Sequence, residues 1–326
     1  MGWDEAVVEF AGGPDQVQKG TERRLAALRQ AVADACIDET WGRLTRLYPA
    51  SFIEAVDRTR LCVEEAEVTA DPWPHMIADD LFPPAFWALL LDNVPPRACF
   101  QPLRGKKADL DLTDSYGAFR FAPVAARAVW TFAQDVLVRS VLLPALVAKW
   151  RPQLARKYAA LIGTDCSGLR YMTANDRLML RMRGYVLHPH LDSARLGLTC
   201  LIYLTGSSDE DPQIGTDLYS GDPMPREVWN STTYAHKHRI DVRKCGTVAF
   251  RPNRLLVFLN EQNAHHGTAV PDLPKYDAGR LVWQFHVVPL VTEHEYPAAS
   301  NGVGVKTSPH KYCAPAVMEP GASPGR

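Results

Sequence analysis

Four apolar runs in the second half of the chain restrict what it can fold into. They are Leu196–Leu204 (LGLTCLIYL), Thr247–Phe250, Leu255–Leu259 and Arg280–Leu290 (RLVWQFHVVPL). Each is short, and the segments between them are crowded with Gly, Asp and Pro. Short apolar runs bounded by turn residues read as buried strands. From about Arg170 onward nothing resembles a parallel βαβ series, so the texture predicts an antiparallel sandwich or barrel.

The first half reads differently. Leu25, Leu28, Val32 and Cys36 recur at helical spacing, which predicts a helical N-terminal extension over residues 1–68. Asp71-Pro72-Trp73-Pro74 marks a boundary. His75–Ala78 follows as a short strand, and Pro83-Pro84 opens a helix through Ala85 to Leu91. Pro95-Pro96 is a second boundary. From Pro123 to Trp150 the pattern is an amphipathic helix with Val129, Phe132 and Val136 on one face, kinked or ended at Pro144. Residues 297–326 are rich in Gly, Pro, Ser and Ala and predict a loose tail. The main domain is thus expected over residues 69–296.

Charge and composition exclude several functions. Lys plus Arg is 36 against 37 for Asp plus Glu, a net charge of −1, so no basic excess points to nucleic acid. No uncharged apolar run approaches the ~18 residues of a membrane span; the most apolar stretch, Val124 to Trp150, is broken by Arg127, Asp135 and Arg139. The opening MGWDEAVVEF has no basic or apolar signal region. Seven scattered cysteines, an odd number, fit free thiols in a reducing, cytoplasmic setting.

The chemistry concentrates in Arg183–Asp192, RGYVLHPHLD. On a strand, His190 and Asp192 at i and i+2 point to the same face. A third ligand is available in Asn263-Ala264-His265-His266-Gly267, just after the run Leu255–Leu259. Two imidazoles and a carboxylate on one face of a metal leave positions open for a co-substrate and O2, the arrangement used by non-haem iron(II) oxygenases.

With these spacings, residues 72–289 resemble the 2-oxoglutarate/Fe(II)-dependent dioxygenases, in particular the prolyl-hydroxylase-like branch. The stretch PWPHMIADDLFPPAFWALLLDNVP is similar to the family's entry strand and helix, and LTCLIYL to the strand after its H-x-D. The resemblance implies an α+β fold: a double-stranded β-helix (jelly-roll) core with flanking helices. It implies Fe(II), 2-oxoglutarate and O2, with His190, Asp192 and His266 as the metal ligands. It gives Arg280 the distal carboxylate of 2-oxoglutarate, for which a guanidinium's paired donors are suited. Thr199, Tyr203 and Leu218 match co-substrate pocket positions. His266 is preferred to His265 because the family places Gly directly after the ligand. The family's Tyr three residues before the Gly is Arg181 here, and the 14-residue gap from His266 to Arg280 is longer than usual, with PDLPKYDA as a loop insertion. Because Asp192 is present, oxidation of a C–H bond is implied and halogenation is not.

The expected substrate is a small molecule such as an amino acid or natural-product scaffold. A protein or peptide side-chain (prolyl-type) hydroxylase is the alternative, and a non-catalytic jelly-roll ligand-binding module is the rival from another class. Elsewhere ordinary explanations are preferred. His286 reads as a packed or surface histidine, His236 and His238 as part of a solvated strand or loop, and Asp209-Glu210-Asp211 as a soluble loop. Arg181, Arg183 and Arg195 are placed near the mouth, either touching an anionic substrate or solvated.

Overall fold

The computed structural model describes residues 39–290 apart from 45, 113–116, 163–167, 206–209 and 230. The helical spacing of Leu25 to Cys36, the tail from 297 and Asp209 lie outside the described residues.

Helix α1 (Pro49–Glu65) precedes β1 (Val68–Thr69) and β2 (His75–Ala78), and α2 (Pro84–Asp92) follows. Then come β3 (Gln101–Leu103) and β4 (Lys107–Asp111). A long helix runs through α3 (Val124–Phe132), a π-helical segment (Ala133–Leu142) and α4 (Leu143–Ile162). The strands follow: β5 (Tyr171–Arg181), β6 (Val186–Leu191), β7 (Leu198–Thr205), β8 (Asp211–Gly221), β9 (Thr233–Tyr234), β10 (Val242–Phe250), β11 (Leu255–Leu259), β12 (His265–Ala269) and β13 (Arg280–Pro289).

The strands form two antiparallel sheets. One is ordered β1-β2-β11-β7-β13-β5-β4-β3 and the other β10-β8-β12-β6-β9. From β5 to β13 the chain crosses repeatedly between them: β5, β7, β11 and β13 lie in the first sheet, and β6, β8, β10 and β12 in the second. That winding is the double-stranded β-helix, read from the pairing of this chain's own strands.

Alternation along the strands divides the core in two. On β13, Leu281, Trp283, Phe285 and Val287 join the helices' apolar cluster, whereas Val282 joins the cluster between the sheets. On β7, Leu198, Cys200, Ile202 and Leu204 face the helices. The helical layer meets them with Leu146, Trp150, Leu154 and Tyr158 of α4, four apart and all fully buried. Trp130 packs edge-on against Trp283 at 5.1 Å, and Phe52 of α1 meets Phe132 at 4.6 Å. Burying each large side chain stabilises the fold by roughly 1.5–3 kcal/mol.

Two details differ from the sequence reading. The long helix does not end at Pro144 or Trp150. The residues before Pro144 wind as a π-helix, with the Leu143 N–H reaching back to Val138 O, so the donor that proline lacks falls where the α-pattern is already interrupted. By length and composition, Val124–Leu161 could also cross a membrane. Here Val129, Trp130, Leu137, Leu146 and Trp150 are buried against the sheet and neighbouring helices.

Candidate metal centre

β6 and β12 are neighbours in the smaller sheet, and their register places His190 directly opposite His266. The two imidazole centroids are 4.2 Å apart. Asp192 lies just past the end of β6. His190 Nε2 is 3.7 Å from Asp192 Oδ1, and His266 Nε2 is 3.7 Å from Asp192 Oδ2. One ligand atom from each residue lies within 4.8 Å of the other two.

Backbone contacts set which nitrogen is presented. His190 Nδ1 faces His188 O at 3.0 Å and His266 Nδ1 faces Ala264 O at 3.1 Å. A carbonyl only accepts, so these contacts assign the proton to Nδ1 and leave each Nε2 with a lone pair. Burial, with His190 beside it, pushes the His266 pKa down to about 4, so its imidazole is neutral at pH 7. Burial alone would raise the Asp192 carboxyl, but the surrounding His266, His190 and His286 hold it well below its usual range. Two imidazole lone pairs and a carboxylate converge on one buried point, an arrangement stabilised by a cation among them.

Neighbouring groups hold the carboxylate. Thr199 Oγ1 donates to Asp192 Oδ2 at 2.6 Å, and Asn260 Nδ2 donates to Thr199 Oγ1 at 2.9 Å. Trp229 Nε1 donates to the Asp192 carbonyl at 2.7 Å. Gly267 sits where β12 crowds β6: a Cβ there would lie 2.7 Å from Leu187 O. The His-Gly pair therefore reflects a close approach of two backbones. His265, one residue earlier on the strand, is fully buried outside the triad, with Nε2 3.3 Å from Asp222 O.

The triad opens on a cavity of about 230 Å³, whose walls include Leu187, Leu201, Thr216, Tyr234, Arg280 and Gln284. Arg280 is 2% exposed. Its Nη2 donates to Thr216 Oγ1 at 3.2 Å, and the guanidinium lies 5.2 Å over the Tyr203 ring and 5.7 Å over Phe250. Its Nε has no hydrogen-bond partner, and among the described residues no carboxylate lies within 4.0 Å of it. Burial pushes its pKa down, with Tyr203 opposing. A buried guanidinium without an acid fits a carboxylate arriving from outside. Gly279, in the left-handed region at φ +80°, leads the chain into β13 at this point.

The remaining pocket residues fall into different places. Thr199 holds the Asp192 carboxylate instead of lining the cavity. Tyr203 is fully buried beneath Arg280, stacked on Phe250 at 4.8 Å, and its hydroxyl donates to Thr216. Leu201, between them, lines the cavity itself. Leu218 is the cross-strand partner of His266 but is not among the cavity-lining residues; Thr216, two residues earlier, is.

The sequence reading undervalued other residues. His286 is a packed histidine, but it is 2% exposed and its Nε2 lies 3.8 Å from Asp192 Oδ2. It shares a face with Arg280, Val282 and Gln284, and the two-residue period of β13 already held that signal. Arg181 is not solvated: it is 6% exposed, paired with Asp109, and lines the cavity. Arg183, by contrast, is exposed and pairs with Asp277 at 2.9 Å. Arg195 is exposed too. His236 and His238 lie on an exposed 3-10 turn. Asp211 opens β8 and accepts from the buried Tyr276, itself part of the 271–278 insertion, at 2.6 Å.

No family model matches the sequence, and no curated protein does. Among solved structures the chain is similar to a prolyl 4-hydroxylase from Phytophthora capsici, at 16% identity and a TM-score of 0.42, over 73% of this chain and 65% of that one. It is also similar to HygX from Streptomyces hygroscopicus, solved with nickel and 2-oxoglutarate bound, at 14% identity and a TM-score of 0.36, over 66% of this chain and 83% of that one. A prolyl-4-hydroxylase from Pseudomonas putida matches at 13% and 0.35, over 71% and 98%. Likeness this distant decides nothing about chemistry, which this chain's own side chains must carry.

Proposed function

We propose that this protein is an Fe(II)- and 2-oxoglutarate-dependent oxygenase. Its reaction hydroxylates, or otherwise oxidises, an unactivated C–H bond of a small molecule such as an amino acid or natural-product scaffold, and releases succinate and CO2. The observation that carries this reading is the convergence of His190, Asp192 and His266 in one cavity with Arg280, a buried cation lacking an acid.

The residues fit the groups they would hold. His190, Asp192 and His266 would bind the iron, and Arg280 the distal carboxylate of 2-oxoglutarate. Bound iron would supply the O2 activation that no side chain can perform. The chain's part is positional. The Nδ1 contacts to His188 O and Ala264 O keep both imidazoles presenting Nε2. Thr199 holds Asp192 in its rotamer. Tyr203 and Phe250 cover the Arg280 guanidinium and keep water from it, which strengthens its attraction for a carboxylate. Leu187, Leu201 and Met179 give the cavity apolar walls beside the triad. A non-catalytic binding module has no use for both a facial metal triad and an unmatched buried cation.

The test is anaerobic iron binding by equilibrium dialysis, then oxygenated turnover read as succinate formed from 2-oxoglutarate. Wild type and His265→Asn should bind one iron per chain and form succinate, while His266→Ala loses both. Arg280→Ala should keep the iron and need at least tenfold more 2-oxoglutarate. Absence of stoichiometric iron binding, or equal loss in the two histidine variants, would overturn the reading.

A further inference from the structure

The large sheet aligns three cations. Lys107 of β4 lies opposite Arg181 of β5, and Arg181 lies opposite Arg280 of β13. Directly opposed residues on neighbouring strands share a face, and like charges so placed repel. Four residues along the same face of β5, Arg177 lies opposite Gln284 of β13, and its Nε and Nη2 donate to Gln284 Oε1 at 2.9 and 2.7 Å. All four cations line the cavity that holds the triad.

The acids do not balance them. Asp192 is the one carboxylate among the cavity-lining residues. On the same face of β4, Asp109 pairs with both Arg181 and Arg177, the latter at 3.5 Å, and Asp111 lies directly opposite Arg177. Lys107 is half-buried, and no described carboxylate lies within 4.0 Å of it. Four cations against these three carboxylates leave one unmatched positive charge, on Lys107. A divalent metal together with a dianionic co-substrate leaves that excess unchanged. Along β5 the Arg177 side chain is 38% exposed and that of Arg181 8%.

We infer that the substrate is an anion: a small molecule whose carboxylate or phosphate group seats on Lys107 and Arg177, with its reactive carbon toward the triad. This rests on the oxygenase reading above. Arg280 takes the co-substrate, Asp109 and Asp111 flank Arg181 and Arg177, and the unmatched Lys107, with the part-exposed Arg177 guanidinium, remains for the substrate's charge. A row of like charges beside a low-dielectric wall is a standing cost to the fold, and a bound anion relieves it. The same positive field draws anions into the cavity.

The experiment uses the full chain loaded with Mn(II) and saturated with 2-oxoglutarate. Mn(II) is paramagnetic, so a small molecule held near it shows a broadened NMR line. The probes are inorganic phosphate, read by 31P, and 13C-labelled acetate, each beside a neutral counterpart, trimethyl phosphate and acetamide. Broadening of phosphate, acetate or both, without broadening of their neutral counterparts, is expected, and which anion broadens more tells phosphate from carboxylate. In Lys107→Gln/Arg177→Gln the broadening should fall about tenfold, as loss of charge-assisted contacts requires, with 2-oxoglutarate affinity kept. No broadening of either anion, broadening that the double variant retains, or equal broadening of the neutral probes overturns the inference. A parallel loss of 2-oxoglutarate affinity also overturns it, because the ledge would then be the co-substrate's anchor. Failure to bind Mn(II) or 2-oxoglutarate at all is read before any probe is added. It refutes the oxygenase assignment separately.

Discussion

Lys157 gives the fold a stability that depends on pH. It lies on α4, buried, with its ammonium donating to Asn260 O and standing 4.7 Å over the Trp229 ring. Burial pushes its pKa down from 10.5 to about 7, with Glu261 opposing weakly. Between those values the folded chain has released a proton that the unfolded chain still holds. The unfolded state then binds more protons, so stability rises with pH across the window and is lost as pH falls toward 7. The slope approaches ~1.4 kcal/mol per pH unit, about 5 kcal/mol over the full window and about 2.5 kcal/mol between pH 7.5 and 9.5. Lys157→Met removes the proton and fills a similar space. Urea denaturation of both proteins across this range is the assay. The variant should be the more stable at pH 7.5, and its advantage should shrink by about 2.5 kcal/mol by pH 9.5. Curves that stay parallel to within about 0.5 kcal/mol would refute the reasoning, because they would show that the amine stays protonated in the fold.

Two further outcomes follow from the metal centre. Thr199→Val keeps the shape but removes the donor to Asp192 Oδ2, so iron affinity should fall about 10- to 100-fold, by equilibrium dialysis, with little change in secondary structure by circular dichroism. Gly267→Ala places a Cβ 2.7 Å from Leu187 O, so the β6–β12 approach must open. It should cost about 1–3 kcal/mol of stability and weaken metal binding with it, and unchanged melting and metal affinity would show that the approach is not tight.

The sequence by itself determined what depends on near neighbours. Apolar runs between turn residues marked β7, β11, β13 and the end of β10, and His75–Ala78 matched the limits of β2. The i, i+2 spacing placed His190 and Asp192 together, whereas preferring His266 to His265 rested on the family resemblance. The runs and the spacing are local properties, since the strand period is two residues and turn chemistry acts within a few. The tertiary structure decided everything set by register between distant strands. Lys107, Arg181 and Arg280 form one row only because β4, β5 and β13 pair as they do. His286 reaches the Asp192 carboxylate because β7 and β13 are neighbours in the large sheet, which sets it opposite Thr199, the donor to that carboxylate. A face can be read along one strand, but which faces meet depends on hydrogen bonds between residues far apart in the chain.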